Sequence, residues 1–173
     1  MIDLQRILKA DRPLTLGGVA TGFLPWLMAD LARAAKVRAV YVAPDELAMR
    51  QLADNARYFA PELEILTLPS WDCLPYDRAS PALRPSSDRL AALHALQQPK
   101  KEPQLLVTTI NAITQRTLTP FRIRQLVARL APGVRIDRDK LATLLQSNGY
   151  VRTDTVADAG EYAIRGALVD LFP

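Results

Sequence analysis

Gly17-Gly18 and Gly22, set ahead of an apolar run, are the residues of this chain whose spacing comes nearest to reactive machinery. A loop that cradles phosphate has the form GxxxxGK[ST]. Its backbone N–H groups wrap the anion, the lysine reaches the β- and γ-phosphates, and the adjoining hydroxyl binds magnesium. Counted from Gly17, the last two places hold Phe23 and Leu24; counted from Gly18, they hold Leu24 and Pro25. Neither register supplies the lysine or the hydroxyl. Leu14 to Gly22 therefore reads as a short strand entering a glycine turn, followed by a helix from about Phe23 to Ala34. That is the layout of a nucleotide site without its chemistry, and no cofactor is expected. An ordinary glycine turn ahead of a helix is the alternative. Backbone amides at a helix N-terminus still attract phosphate, so weak binding through Gly17, Gly18 and Gly22 stays open.

Other reactive side chains are scarce. Cys73 is the only cysteine and His94 the only histidine, which leaves no internal disulfide and argues against a zinc site or a histidine-based triad. Hydrophobic residues make up 49% of the 173, yet no run approaches the roughly 18 apolar residues of a membrane span. Met1-Ile2-Asp3-Leu4-Gln5-Arg6 has no signal-peptide pattern, so a soluble, cytoplasmic globular protein with one core or two small domains is expected. Of the net charge of +4, most lies late: residues 116–173 carry nine basic and six acidic side chains. Arg116, Arg122, Arg124, Arg129, Arg135 and Arg138 are the candidates for non-specific DNA contact, a field that Asp137 and Asp139 dilute.

The elements that position these residues read as an α/β unit. Val37 to Val42 is a β-branched run suited to a buried parallel strand. Asp45 caps a helix from about Glu46 to Tyr58 with Leu52, Ala56 and Phe59 near one face. Ile65 to Leu68 is another strand. Prolines at 69, 75, 81 and 85 forbid a regular helix through Pro69 to Pro85, after which Ser86, Ser87 and Asp88 offer caps for a helix bearing Leu90, Leu93 and Leu96. Leu105 to Thr109 is a strand, with a short helix from about Asn111 to Arg116. Strand–helix alternation implies a parallel sheet covered on both faces over residues 1–119. Residues 120–173 read as a small α+β module. In it Leu126 to Leu130 is a strand, Asp137 caps a helix ending at Asn148-Gly149, and Leu141, Leu144 and Leu145 form the buried stripe. Tyr150 to Val156 and Ala163 to Phe172 are two further strands, joined through Ala157 to Gly160. So few strands suggest a module completed by strands beyond Pro173.

From about Leu14 onward the chain resembles UvrB and the transcription-repair coupling factors, two related bacterial repair families. The shared residues are Val40-Tyr41-Val42-Ala43-Pro44, Tyr76-Asp77 with Ser80-Pro81, Pro85-Ser86-Ser87-Asp88, and Arg165-Gly166 leading to Asp170-Leu171-Phe172-Pro173. UvrB keeps the loop lysine and threonine, and carries a DNA-inserting hairpin just after the position of Asp88. Here the loop is empty and Asp88 runs directly into Arg89-Leu90, and Trp71-Asp72 with Leu74-Pro75-Tyr76-Asp77 looks like the coupling-factor version. The resemblance implies a degenerate P-loop or RecA-like domain similar to UvrB domain 1a, then a truncated module similar to domain 2. It further implies an adaptor without enzymatic activity of its own that recruits UvrA in nucleotide-excision repair. Arg165 is the implied contact, with Arg152 and Gly166 beside it, because arginine's planar fork pairs bidentately with carboxylates. RNA polymerase and DNA would be met by parts of the longer protein outside this chain. The competing reading is a nucleotide-dependent repair enzyme of UvrB type with a divergent loop.

Overall fold

The computed structural model describes residues 3–73, 78, 83–99, 103–128 and 130–172, except the side chains of residues 83 and 84. Leu74-Pro75-Tyr76-Asp77, Ser80-Pro81, Arg129 and Pro173 lie outside that set.

Strands β1 (Arg38–Ala43), β2 (Glu64–Leu68) and β3 (Gln104–Thr109) form a parallel sheet in the order β1-β3-β2. Every residue of the central β3 is buried, as its unalternating Leu-Leu-Val run requires of a strand packed on both sides. One face is covered by α2 (Leu24–Ala35) and α3 (Glu46–Phe59): Ala29, Ala32, Met49, Leu52, Ala53 and Ala56 close over Ala43, Leu105 and Val107. The alanines let the helices approach the strands closely. On the other face α4 (Leu83–Ala95) sets Ala92 and Leu93 against Leu66, Leu68 and Leu106. That cover stops short of β1, where Val40 and Val42 are 53% and 42% exposed. The expected two-sided cover is complete only over β2 and β3.

Local signals explain most helix ends. Asp45 accepts from the Ala48 N–H at 2.8 Å and starts α3. Lys36, in the left-handed region at φ 53°, ends α2. Ahead of α2 lies the short helix α1 (Leu4–Leu8), capped by Asp3 and packed against α2. The short α5 (Ile110–Thr114) follows β3 with Thr109 as its cap.

Several expectations need correction. No strand precedes the glycine turn: residues 13–17 form none, and Leu14 and Leu16 are 49% and 44% exposed. Two apolar side chains between Pro13 and Gly17 are too few to hold a strand in the sheet. α4 begins at Leu83, with Pro85, Ser86, Ser87 and Asp88 inside it rather than ahead of it. A proline in the first turn is tolerated because its missing N–H has no intrahelical acceptor there. Phe59 is exposed beside Tyr58 at the end of α3 and does not join the core. Leu126 closes a helix, α6 (Pro120–Leu126), rather than opening a strand; Thr119 caps it and Pro120 sits in its first turn.

A second sheet lies near the end of the chain. α7 (Arg138–Ser147) is capped by Asp137, which accepts from the Asp139 and Lys140 N–H groups at 3.0 and 3.1 Å. Leu145 is its buried residue, with Leu141 and Leu144 half-buried. Strands β4 (Val151–Arg152), β5 (Glu161–Arg165) and β6 (Leu168–Phe172) follow in spatial order β4-β5-β6. β4 pairs parallel to β5, and β5 antiparallel to β6. Ala163 to Phe172, read as one strand, is therefore two half-strands folded back on each other. Gly166 makes the difference: at φ 61° it takes the first central place of a two-residue hairpin turn, where glycine meets no Cβ clash.

Candidate functional site

At the glycine turn two of the backbone donors that would meet phosphate are already engaged. The Phe23 and Leu24 N–H groups both donate to the Ala20 carbonyl, at 2.9 and 3.2 Å, and Pro25 has no N–H to give. Phe23 occupies the lysine place of the Gly17 register, and its ring lies 5.0 Å from that of Trp26. Gly17, Gly18 and Gly22 are exposed, with nothing within 4 Å of where a Cβ would stand. A cleft of about 470 Å³ is walled by α3 and the segment after β2, including Arg50, Arg57 and Ser70, and none of these loop residues lines it. Among the described residues no cluster of His, Cys, Asp or Glu could hold a metal ion. No helix among them is long and apolar enough to cross a membrane.

Cross-strand register sorts the second sheet into two faces. Arg165 lies opposite Leu168, Ala163 opposite Asp170, and Glu161 opposite Phe172 and beside Val151. These share one face. Arg152 lies beside Tyr162 and so belongs to the other, with Ile164, Val169 and Leu171. Arg165 and Arg152 therefore do not act together on one surface. The Arg165 face carries exposed apolar side chains, Leu168 at 66%, Val151 at 59% and Phe172 at 49%, around a diagonal ion pair between Arg165 and Asp170. Sequence reading missed these apolar neighbours because it missed the hairpin, and the signal was present as a glycine between two β-forming runs.

Two supports hold that face. Arg138, at the start of α7, donates to the Gly166 carbonyl at 2.9 Å and fixes the turn. At the other end, Glu161 accepts from the Ala157 and Asp158 N–H groups at 2.8 and 3.0 Å, closing the loop into β5. Those donors hold the Glu161 carboxyl below the usual range.

A buried hub, also missed, fixes the segment after β2. Arg89 is fully buried and donates to the carbonyls of Pro69 at 2.7 Å, Ala112 at 3.0 Å and Gln115 at 3.5 Å. Its guanidinium lies 5.4 Å from the Trp71 ring centre. Burial lowers its pKa, and Glu46 opposes that shift. Glu46 accepts from the Ser70 N–H and hydroxyl at 2.9 and 2.8 Å.

The basic candidates do not form one bare stripe. Arg138 pairs with Asp139, Arg124 donates to Gln97, and Arg122 to Gln125.

This is an α/β unit with a parallel three-stranded sheet flanked by helices, followed by a small mixed sheet presenting one arginine-centred face. Residues 128–173 match the family described as the UvrB interaction domain. Similar proteins are the transcription-repair-coupling factors of Escherichia coli (34% identical, covering 95% of this chain) and Myxococcus xanthus (35%, covering 99%). That of Haemophilus influenzae is 34% identical over 91% of the chain. These matches support a chain similar to the N-terminal region of the transcription-repair-coupling factors. It spans 14% of the length of each of these three relatives.

Proposed function

We propose that this chain is an adaptor in transcription-coupled repair: a UvrB-like surface, emptied of nucleotide chemistry, that recruits UvrA. On this reading residues 1–119 form the degenerate α/β domain and 120–173 the docking module. The observation that carries the reading is the exposed Arg165 with Val151, Leu168 and Phe172 on one face of the module that matches the UvrB interaction domain. Large apolar side chains around an arginine are what a protein interface offers, since such anchors dominate binding energy. The chain itself is not an enzyme on this reading, and acts in the cytoplasm. The longer relatives' names connect them with transcription and repair. Contact with RNA polymerase and DNA, and any ATP-driven motor, belong to regions beyond these residues.

Calorimetry of UvrA against the 173-residue chain tests this. Arg165→Ala should weaken binding about tenfold or more, as loss of an interface anchor does, whereas Arg152→Ala, on the opposite face, should leave it within about twofold. Equal affinities for the chain and its Arg165→Ala variant would defeat the proposal.

A further inference from the structure

An arginine that recruits an acidic partner is usually imagined as a free charge. Arg165 is not free. Its Nη2 donates to the Asp170 carboxylate across the hairpin, diagonal to it on the same face. The two side chains remain 61% and 44% exposed, so both are within reach of a partner. An exposed pair of this kind adds little to folding. Its geometric effect is larger: a long side chain that samples many rotamers is held to one, with no other partner among the described residues for its Nε and Nη1 donors. The apolar residues around it, Val151, Leu168 and Phe172, would exclude water from the contact.

We propose that Asp170 is the positioning residue of this surface, and that the partner's complementary patch sets an acidic group against Arg165 and a basic one against Asp170. The second half follows from electrostatics. A partner carboxylate arriving at Arg165 also approaches the Asp170 carboxylate, and that repulsion is relieved when the partner brings a cation or a strong donor to Asp170. The inference rests on the docking reading given above.

Four proteins test it against UvrA by calorimetry, each with a thermal melt: the unmodified chain, Arg165→Ala, Asp170→Ala, and the exchange Arg165→Asp with Asp170→Arg. Asp170→Ala should weaken binding about three- to tenfold, the cost of ordering a released side chain, with a melting shift of no more than about 4 °C. The exchange keeps an ion pair across the hairpin, yet should weaken binding at least as much as Arg165→Ala, because each charge then meets its like. If Asp170→Ala binds as tightly as the unmodified chain, or more tightly, Asp170 does not position Arg165. Normal binding by the exchange variant would reduce the pair to a staple of the hairpin, which overturns the proposal too. Failure of the unmodified chain to bind, or an Arg165→Ala variant that binds equally well, would instead overturn the docking reading and this inference with it.

Discussion

Gly166 and Glu161 are two residues whose roles are conformational and electrostatic, and both bear on the face that Arg165 occupies. At φ 61° Gly166 sits where an L side chain is strained, although nothing lies within 4 Å of its Cβ position. Gly166→Ala should therefore cost about 1–2 kcal/mol, purely through the backbone. The measurement is urea unfolding of both proteins, and an unchanged midpoint would mean that the hairpin relaxes to another turn type. Glu161 works through its charge. Its folded-state pKa is depressed by the Ala157 and Asp158 N–H donors, so its stabilising contribution is present above the ordinary carboxylate pKa and is lost as pH falls through the folded value. The melting difference between the protein and its Glu161→Ala variant should be largest near neutrality. It should shrink steadily below about pH 4, where carboxylates begin to protonate. A pH-independent gap would assign the effect to packing instead.

At the scale of elements, sequence reading succeeded where one signal dominated and failed where two competed. The buried run of β3, the Asp45 cap and the Asp137 cap were each legible because nothing nearby contradicted them. Pro85 competes with the helix signal around it: in sequence it reads as the last of the prolines that bar a helix, yet it lies in the first turn of α4, where proline is accommodated. The arginine of the candidate face was legible only through a family resemblance; its apolar neighbours required the register of β5 against β6. Arg89 was invisible for a further reason: a charged residue is rarely fully buried, and only tertiary structure reveals the three carbonyls that make its burial tolerable. It ties the segment after β2 to the end of α5, so its removal strands those acceptors. Arg89→Ala should destabilise the protein by about 3 kcal/mol, and Arg89→Lys should recover only part of that, since an ammonium cannot fork between carbonyls. Full recovery in a denaturant titration would show that charge alone, rather than the planar fork, holds the hub.

Considered as a whole, the molecule has a parallel sheet of order β1-β3-β2 and a glycine loop that no strand of that sheet leads into. The contrast matters because restoring two side chains would look, from sequence, like restoring a site. Three features oppose that. No strand anchors the segment ahead of the turn, so the loop is not held against the sheet. The Phe23 and Leu24 amides are committed to the Ala20 carbonyl, and Pro25 supplies none. Phosphate cradles depend on several convergent backbone donors, with lysine adding one charge to a pocket the backbone has already formed. The double substitution Phe23→Lys with Leu24→Thr should therefore leave ATP with magnesium bound no more tightly than about 1 mM, an affinity near 4 kcal/mol. Isothermal titration of the variant against the unmodified chain measures it. The substitutions also separate Phe23 from its contact with Trp26, so a thermal melt must confirm that the variant remains folded. Micromolar binding by the folded variant would mean that the loop rearranges readily, and that the side chains alone had been missing.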